Sequence, residues 1–141
     1  MKVVYIIVGL GLAGLAFVEE LISANKSFIV FEDDSQTSSL VAGGVYNPVI
    51  LKRFSPVWNA KQQLAIALPF YEKLEKKFDQ TFDQKFTIKK AFKSIQDQNN
   101  WFSAFDKPRV APFLDAKLDN QAYQGVLGNH LFGNVKEGGR I

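Results

Sequence analysis

The 141 residues suffice for one compact domain with a sizeable core, and 47% hydrophobic with 22% charged residues is the composition of an ordinary soluble protein. The chain has no cysteine, which excludes disulfides, iron–sulfur clusters, thiol redox chemistry and cysteine zinc sites and fits a cytoplasmic protein. A net charge of +3 is too mild to imply by itself a nucleic acid or an anionic membrane as partner.

The first apolar run, Val3-Val4-Tyr5-Ile6-Ile7-Val8, is rich in β-branched residues and predicts a strand. Gly9-Leu10-Gly11-Leu12-Ala13-Gly14 follows, then an amphipathic helical stretch over 12–24, then a second strand over 28–31 that ends in Glu32. A lone G-x-G-x-x-G is weak evidence. Its place between a strand and a helix, with an acid about 20 residues on, is what a dinucleotide site requires. Gly9 permits the tight turn, Gly11 lets backbone approach a diphosphate, and Gly14 lets the helix pack on the strand. The N–H groups near Leu12 and Ala13 are expected to face the phosphates, and Glu32, followed by Asp33 and Asp34, to accept from ribose hydroxyls and repel a 2′-phosphate. A secretory signal is the competing reading of the first 18 residues, but one basic residue, three glycines and Glu19-Glu20 directly after the run argue against it. The run is also too short to span a membrane.

Residues 33–56 read as one long connection, with Ser38, Ser39 and the small residues Ala42, Gly43 and Gly44 able to admit a flat ring or a phosphate. Ser55 is a plausible N-cap and Pro56 a plausible first helical residue. Trp58, Leu64, Ala65, Leu68, Tyr71, Leu74 and Phe78 then recur at helical spacing and predict a buried stripe, which Pro69 should kink or split. Residues 86–95 read as extended, with Phe86, Ile88 and Phe92 on one face. A helix is expected over 96–105 with Trp101, Phe102 and Phe105 as its apolar side, stopped by Pro108, and short strands and turns over 109–141. The lysines at 73, 76, 77, 85, 89, 90 and 93 read as solvated faces; they lack a nucleic-acid-binding motif. His130 reads as an exposed loop residue, and Lys52, Arg53, Tyr46 and Arg109 as surface positions able to hold a carboxylate. No metal-ligand cluster or catalytic triad stands out.

With these residues in hand, the chain resembles the amino-terminal part of the D-amino-acid oxidase (DAO) family of FAD-dependent oxidoreductases. The resemblance rests on Gly9-x-Gly11-x-x-Gly14, Glu32 and the segment Ser38-Ser39 to Ala42-Gly43-Gly44-Val45-Tyr46-Asn47-Pro48. It covers about residues 1–60 with motif support, and the Gly-Gly-x-Tyr-x-Pro stretch looks most like the tRNA-modifying branch of that family. The resemblance implies an α/β fold. Residues 1–80 would form an incomplete Rossmann-like FAD-binding βαβ unit, and residues 81–141 part of an α+β substrate domain. It implies FAD as cofactor, held by Gly9, Gly11, Leu12, Ala13, Gly14, Glu32, Asp33, Ser38, Ser39, Ala42, Gly43 and Gly44. It also implies oxidation of a C–N bond in an amine or amino acid by hydride transfer to flavin, so no catalytic triad is needed. Catalytic residues are not assigned.

Family members are much longer. The resemblance therefore implies an incomplete chain that alone binds FAD weakly or not at all, is inactive, and self-associates through an open sheet edge. A non-catalytic nucleotide-binding or oligomerising module is the rival reading. An NAD-dependent dehydrogenase is another, but it leaves the Ser-rich segment before the glycine pair unexplained. Action on tRNA is the least supported.

Overall fold

The computed structural model describes residues 3–33, 35, 38–120 and 131–141, and these form a mixed α/β protein of two compact units that meet in sequence between Gly44 and Val45. Asp34, Gln36, Thr37 and His130 lie outside the described residues.

The first unit is a parallel pair of strands joined by a helix. Strand β1, Tyr5–Val8, pairs with β2, Phe28–Phe31, in the register Tyr5↔Phe28 to Val8↔Phe31. Helix α1, Leu12–Ser23, connects them, and a short helix α2, Ser38–Val41, follows. Side chains alternate across a strand, so one face of the pair carries Ile7, Phe28 and Val30 against Val18 and Leu21 of α1. Tyr5 packs edge-on against Phe17, with centroids 5.8 Å apart. Ile6, Val8, Ile29 and Phe31 occupy the alternate positions and are exposed.

The second unit holds three small antiparallel sheets. Strand β3, Val45–Tyr46, and β6, Gln84–Lys85, flank β9, Gly139–Arg140. Strand β4, Val49–Ile50, pairs with β5, Ser55–Pro56. Strand β7, Ile88–Ala91, pairs with β8, Phe132–Val135. Helices α3, Ala60–Phe78, and α4, Ile95–Phe105, complete the unit, with a 3₁₀ turn at Ala111–Phe113.

Trp101 of α4 is the centre of this unit's core, fully buried, with edge-on contacts to Phe54, Phe92 and Phe105. Helix α4 begins where local chemistry permits. The Ser94 hydroxyl accepts from the Asp97 N–H at 3.1 Å, and the Asp97 carboxylate accepts from the Lys93 N–H at 3.1 Å. Val49, Phe54 and Ala60 belong to the same core as Trp101, Phe113 and Val135. Residues 45–60, expected with the nucleotide-binding part, pack with the later chain, and the two compact units divide after Gly44.

Four expectations are corrected. Ser55 and Pro56 do not start a helix: the Val57 N–H donates to the Pro48 carbonyl at 2.9 Å, which closes the β4–β5 hairpin, and α3 begins only after Asn59 turns the chain at φ 54°. Trp58 therefore precedes the helix and is 77% exposed. Of the α3 stripe only Leu74 is buried; Ala65 and Phe78 are exposed, and Leu64, Leu68 and Tyr71 are half-buried. Of the two outcomes expected at Pro69, a kink or a split, the split does not occur: α3 runs unbroken for 19 residues. On α4, Phe102 is exposed and Ala104 takes its place in the core, one helical turn back toward Trp101.

Gly133 of β8 lies flat on the indole: a Cβ there would sit 2.5 Å from Trp101 Cε2. Gly133→Ala is expected to destabilise the second unit by about 1–3 kcal/mol through overpacking, read as a lower urea midpoint of the Trp101 fluorescence. An unchanged midpoint would mean that the ring has room to move.

Candidate functional site

The carboxyl ends of β1 and β2 open onto a cleft of about 510 Å³ lined by Val8, Gly9, Val30, Phe31, Glu32, Asp33 and Ser35. Ligands in open parallel sheets bind at this end of the strands. Gly9 leaves β1 at φ +88°, a conformation that favours glycine, and its N–H donates to the Phe31 carbonyl at 2.9 Å, tying the turn to the end of β2. Gly14, one turn into α1, presses against the Gly9 carbonyl so closely that a Cβ would overlap its oxygen. At Gly11 a Cβ would stand 3.2 Å from the Ser39 hydroxyl.

Gly11 is the N-cap of α1 and offers no side chain to its first amides. Ser39 supplies the cap from 27 residues away: its Oγ accepts from the Leu12 N–H at 3.3 Å. The Leu12 N–H, expected to face the phosphates, thus has a partner within the chain. The sequence alone could not show this, because a cap from a distant segment leaves no local spacing signal.

Glu32 turns back over the glycine turn, and its carboxylate accepts from the Leu10 N–H. It is exposed and stands on the cleft wall, where it was expected to meet a ribose. Asp33 accepts from the Ser35 N–H at 3.0 Å, and hydrogen bonds from Ser35 hold its carboxyl below the usual carboxylate range. The cleft therefore has the Gly9 turn, which leads into the first amides of α1, on one side and two carboxylates on the β2 side. That arrangement suits a ligand with an anionic end and a hydroxyl-bearing end.

Of the expected cofactor residues, the structure brings together Gly9, Gly11, Leu12, Ala13, Gly14, Glu32, Asp33 and Ser39 around this turn. Ser38 opens α2 beside Ser39. The Ala42 N–H donates to the Ser38 carbonyl at 2.9 Å, and Gly44 follows at φ 66°. No hydrogen bond joins Ala42, Gly43 or Gly44 to the glycine turn among the described residues.

In the second unit Tyr46, considered as a carboxylate holder, already has one. Its hydroxyl donates to Asp83 Oδ1 at 2.7 Å and accepts from Lys85 Nζ at 2.8 Å, while Lys85 pairs with Asp83 at 2.5 Å. The three side chains come from β3, β6 and the residue before β6, and they clasp the sheet around Gly139, where a Cβ would collide with the Tyr46 ring. Burial raises the Tyr46 phenol above its ordinary value. Burial alone would lower the Lys85 ammonium, but its contacts with Asp83 and Tyr46 outweigh this and leave it raised. Lys52, Arg53 and Arg109 are exposed. Several lysines are less solvated than expected: Lys89 pairs with Asp119 at 2.5 Å and Lys90 with Asp97 at 4.0 Å.

Among the described residues no group of three His, Asp or Glu side chains is placed to hold a metal, and no helix is long and apolar enough to cross a membrane. No protein-family model matches the sequence, and no solved structure matches the chain.

Gly14→Ala is expected to cost the first unit about 3 kcal/mol or more, because the obstacle is a backbone oxygen that cannot rotate away. Gly9→Ala meets no atom within 4 Å and should cost only about 1–2 kcal/mol, for the left-handed backbone. Hydrogen exchange of the β1 and β2 amides measures both; equal losses would refute the steric account. A second test concerns alkali. Tyr46 and Lys85 both bind their protons more tightly folded than unfolded. Their stabilisation is therefore complete below about pH 10 and lost as pH rises above it. Urea midpoints from about pH 8 to about pH 11 should fall for the native chain and fall less for Tyr46→Phe.

Proposed function

We propose that this chain is the nucleotide-binding, amino-terminal part of an FAD-dependent oxidoreductase of the D-amino-acid oxidase type, with β1–α1–β2 as a Rossmann-like unit. The observation that carries the reading is the cleft at the carboxyl ends of β1 and β2, with the Gly9 turn as its floor and Glu32 on its wall. The close approach of Gly14 to the Gly9 carbonyl supports it, since this helix–strand contact is the task of the third glycine in such a motif.

The residues present fit the adenosine diphosphate portion of the cofactor. Gly11, Leu12 and Ala13 would offer main-chain N–H groups to the diphosphate, with Gly9 shaping the turn beneath it, and the α1 dipole adds a favourable contribution of about 0.3–1 kcal/mol. The Leu12 N–H now rests on a neutral hydroxyl at 3.3 Å, a long bond. A phosphate oxygen would make a charge-assisted and stronger one in place of the Ser39 hydroxyl. Glu32 would exchange the Leu10 N–H for ribose hydroxyls, and Glu32 with Asp33 would repel a 2′-phosphate. Ser38, Ala42, Gly43 and Gly44 would line the continuation of the cofactor. When bound, the flavin supplies the chemistry by accepting a hydride from the C–H beside the nitrogen of an amine or amino acid. The described residues contribute binding and orientation at the nucleotide end.

ADP carries the diphosphate and the ribose hydroxyls and tests the cleft directly. Millimolar ADP is expected to shift the amide resonances of residues 9–13 and 32–33, with roughly tenfold weaker binding for ADP bearing a 2′-phosphate. Glu32→Gln should narrow that difference. Unshifted amides in this segment, or equal binding of the two nucleotides, would overturn the proposal.

A further inference from the structure

A larger cavity lies in the second unit, independent of the nucleotide cleft. Leu64, Ala65, Leu68 and Pro69 recur at three- and four-residue spacing, so they share one face of α3. Leu64, Ala65 and Leu68 belong to the stripe expected in the core, yet Ala65 is exposed like the neighbouring Pro69, and Leu64 and Leu68 are only half-buried. What they face is a groove of about 820 Å³, closed on its other side by Lys85, Phe86, Thr87 and the turn Val135 to Gly138 that joins β8 to β9. A helix that presents an apolar face to open space, in a volume typical of small-molecule sites, calls for an occupant.

The charges on the rim specify its chemistry. Lys61 stands one turn before Leu64 on the same helix face, and Lys136 stands on the opposite turn. Lys85 is committed to Asp83 and Tyr46. Neither Lys61 nor Lys136 has a carboxylate partner among the described residues, and Glu137 is the single acid of the lining. We propose that this groove binds a small amphipathic carboxylic acid, its apolar body along Leu64, Leu68 and Phe86 and its carboxylate between Lys61 and Lys136.

Octanoate is the minimal probe and octan-1-ol its neutral control, titrated calorimetrically into the 141-residue chain. Octanoate should bind once per chain and about tenfold more tightly than octanol. Lys61→Gln combined with Lys136→Gln should remove that advantage while leaving octanol unchanged; both side chains lie at the rim, so the fold should tolerate them. Leu68→Glu should weaken both probes. Equal binding of acid and alcohol in the native chain would overturn the proposal. So would octanoate binding untouched by the paired lysine substitutions; if Leu68→Glu also left it unchanged, the apolar face of Ile6, Val8, Ile29 and Phe31 would be the binding surface. A doubled sedimentation mass that Leu68→Glu abolishes would place a second copy of the chain in the groove and overturn it as well.

Discussion

The first unit depends on backbone touching backbone. Gly14 can lie on the Gly9 carbonyl only because Gly14 has no side chain to interpose. That contact sets how deeply α1 sits against β1, and so whether Val18 and Leu21 reach Ile7, Phe28 and Val30. It also fixes where the first amides of α1 stand relative to the ends of the strands. Gly11, equally without a side chain, leaves those amides without a local cap, so Ser39 caps the Leu12 N–H from a distant segment while Glu32 holds the Leu10 N–H of the turn before the helix. The economy of the motif is that one steric requirement yields both the packing and the exposed donors.

The second unit is organised differently. Its centre is a single indole, and the residues that meet it come from widely separated parts of the chain: Phe54 from the β4–β5 hairpin, Phe92 after β7, Phe105 on α4 and Gly133 on β8. Small sheets of two or three short strands have little stability alone. Here they are held by what they pack on and by side-chain clasps such as Tyr46–Asp83–Lys85 and Lys89–Asp119. Of the apolar stripe of α3, Leu64 packs against this core, Leu74 is buried outside it, and Leu64, Ala65 and Leu68 border the groove.

Two sites thus lie in units of different character. The cleft at β1 and β2 is lined by the Gly9 turn, the apolar strand ends Val8, Val30 and Phe31, and the polar Glu32, Asp33 and Ser35. The groove beside α3 is an apolar trough with Lys61 and Lys136 at its rim. The cleft carries carboxylates and the rim of the groove mainly lysines, so the two differ in the charge they would accept.

Local pattern alone determined the strand–glycine–helix–strand–acid order of residues 3–32, because period-two and period-3.6 hydrophobicity and glycine spacing are properties of near neighbours. The extended run near Ile88 and the helix around Trp101 were legible for the same reason. Only the tertiary structure decided that Ser55 and Pro56 close a hairpin, that the Leu12 amide is capped by Ser39, and that α3 turns its apolar stripe toward a groove. Each depends on which distant segment arrives beside a residue. A side chain's hydrophobicity says that it prefers to leave water, but not which partner will be there to receive it.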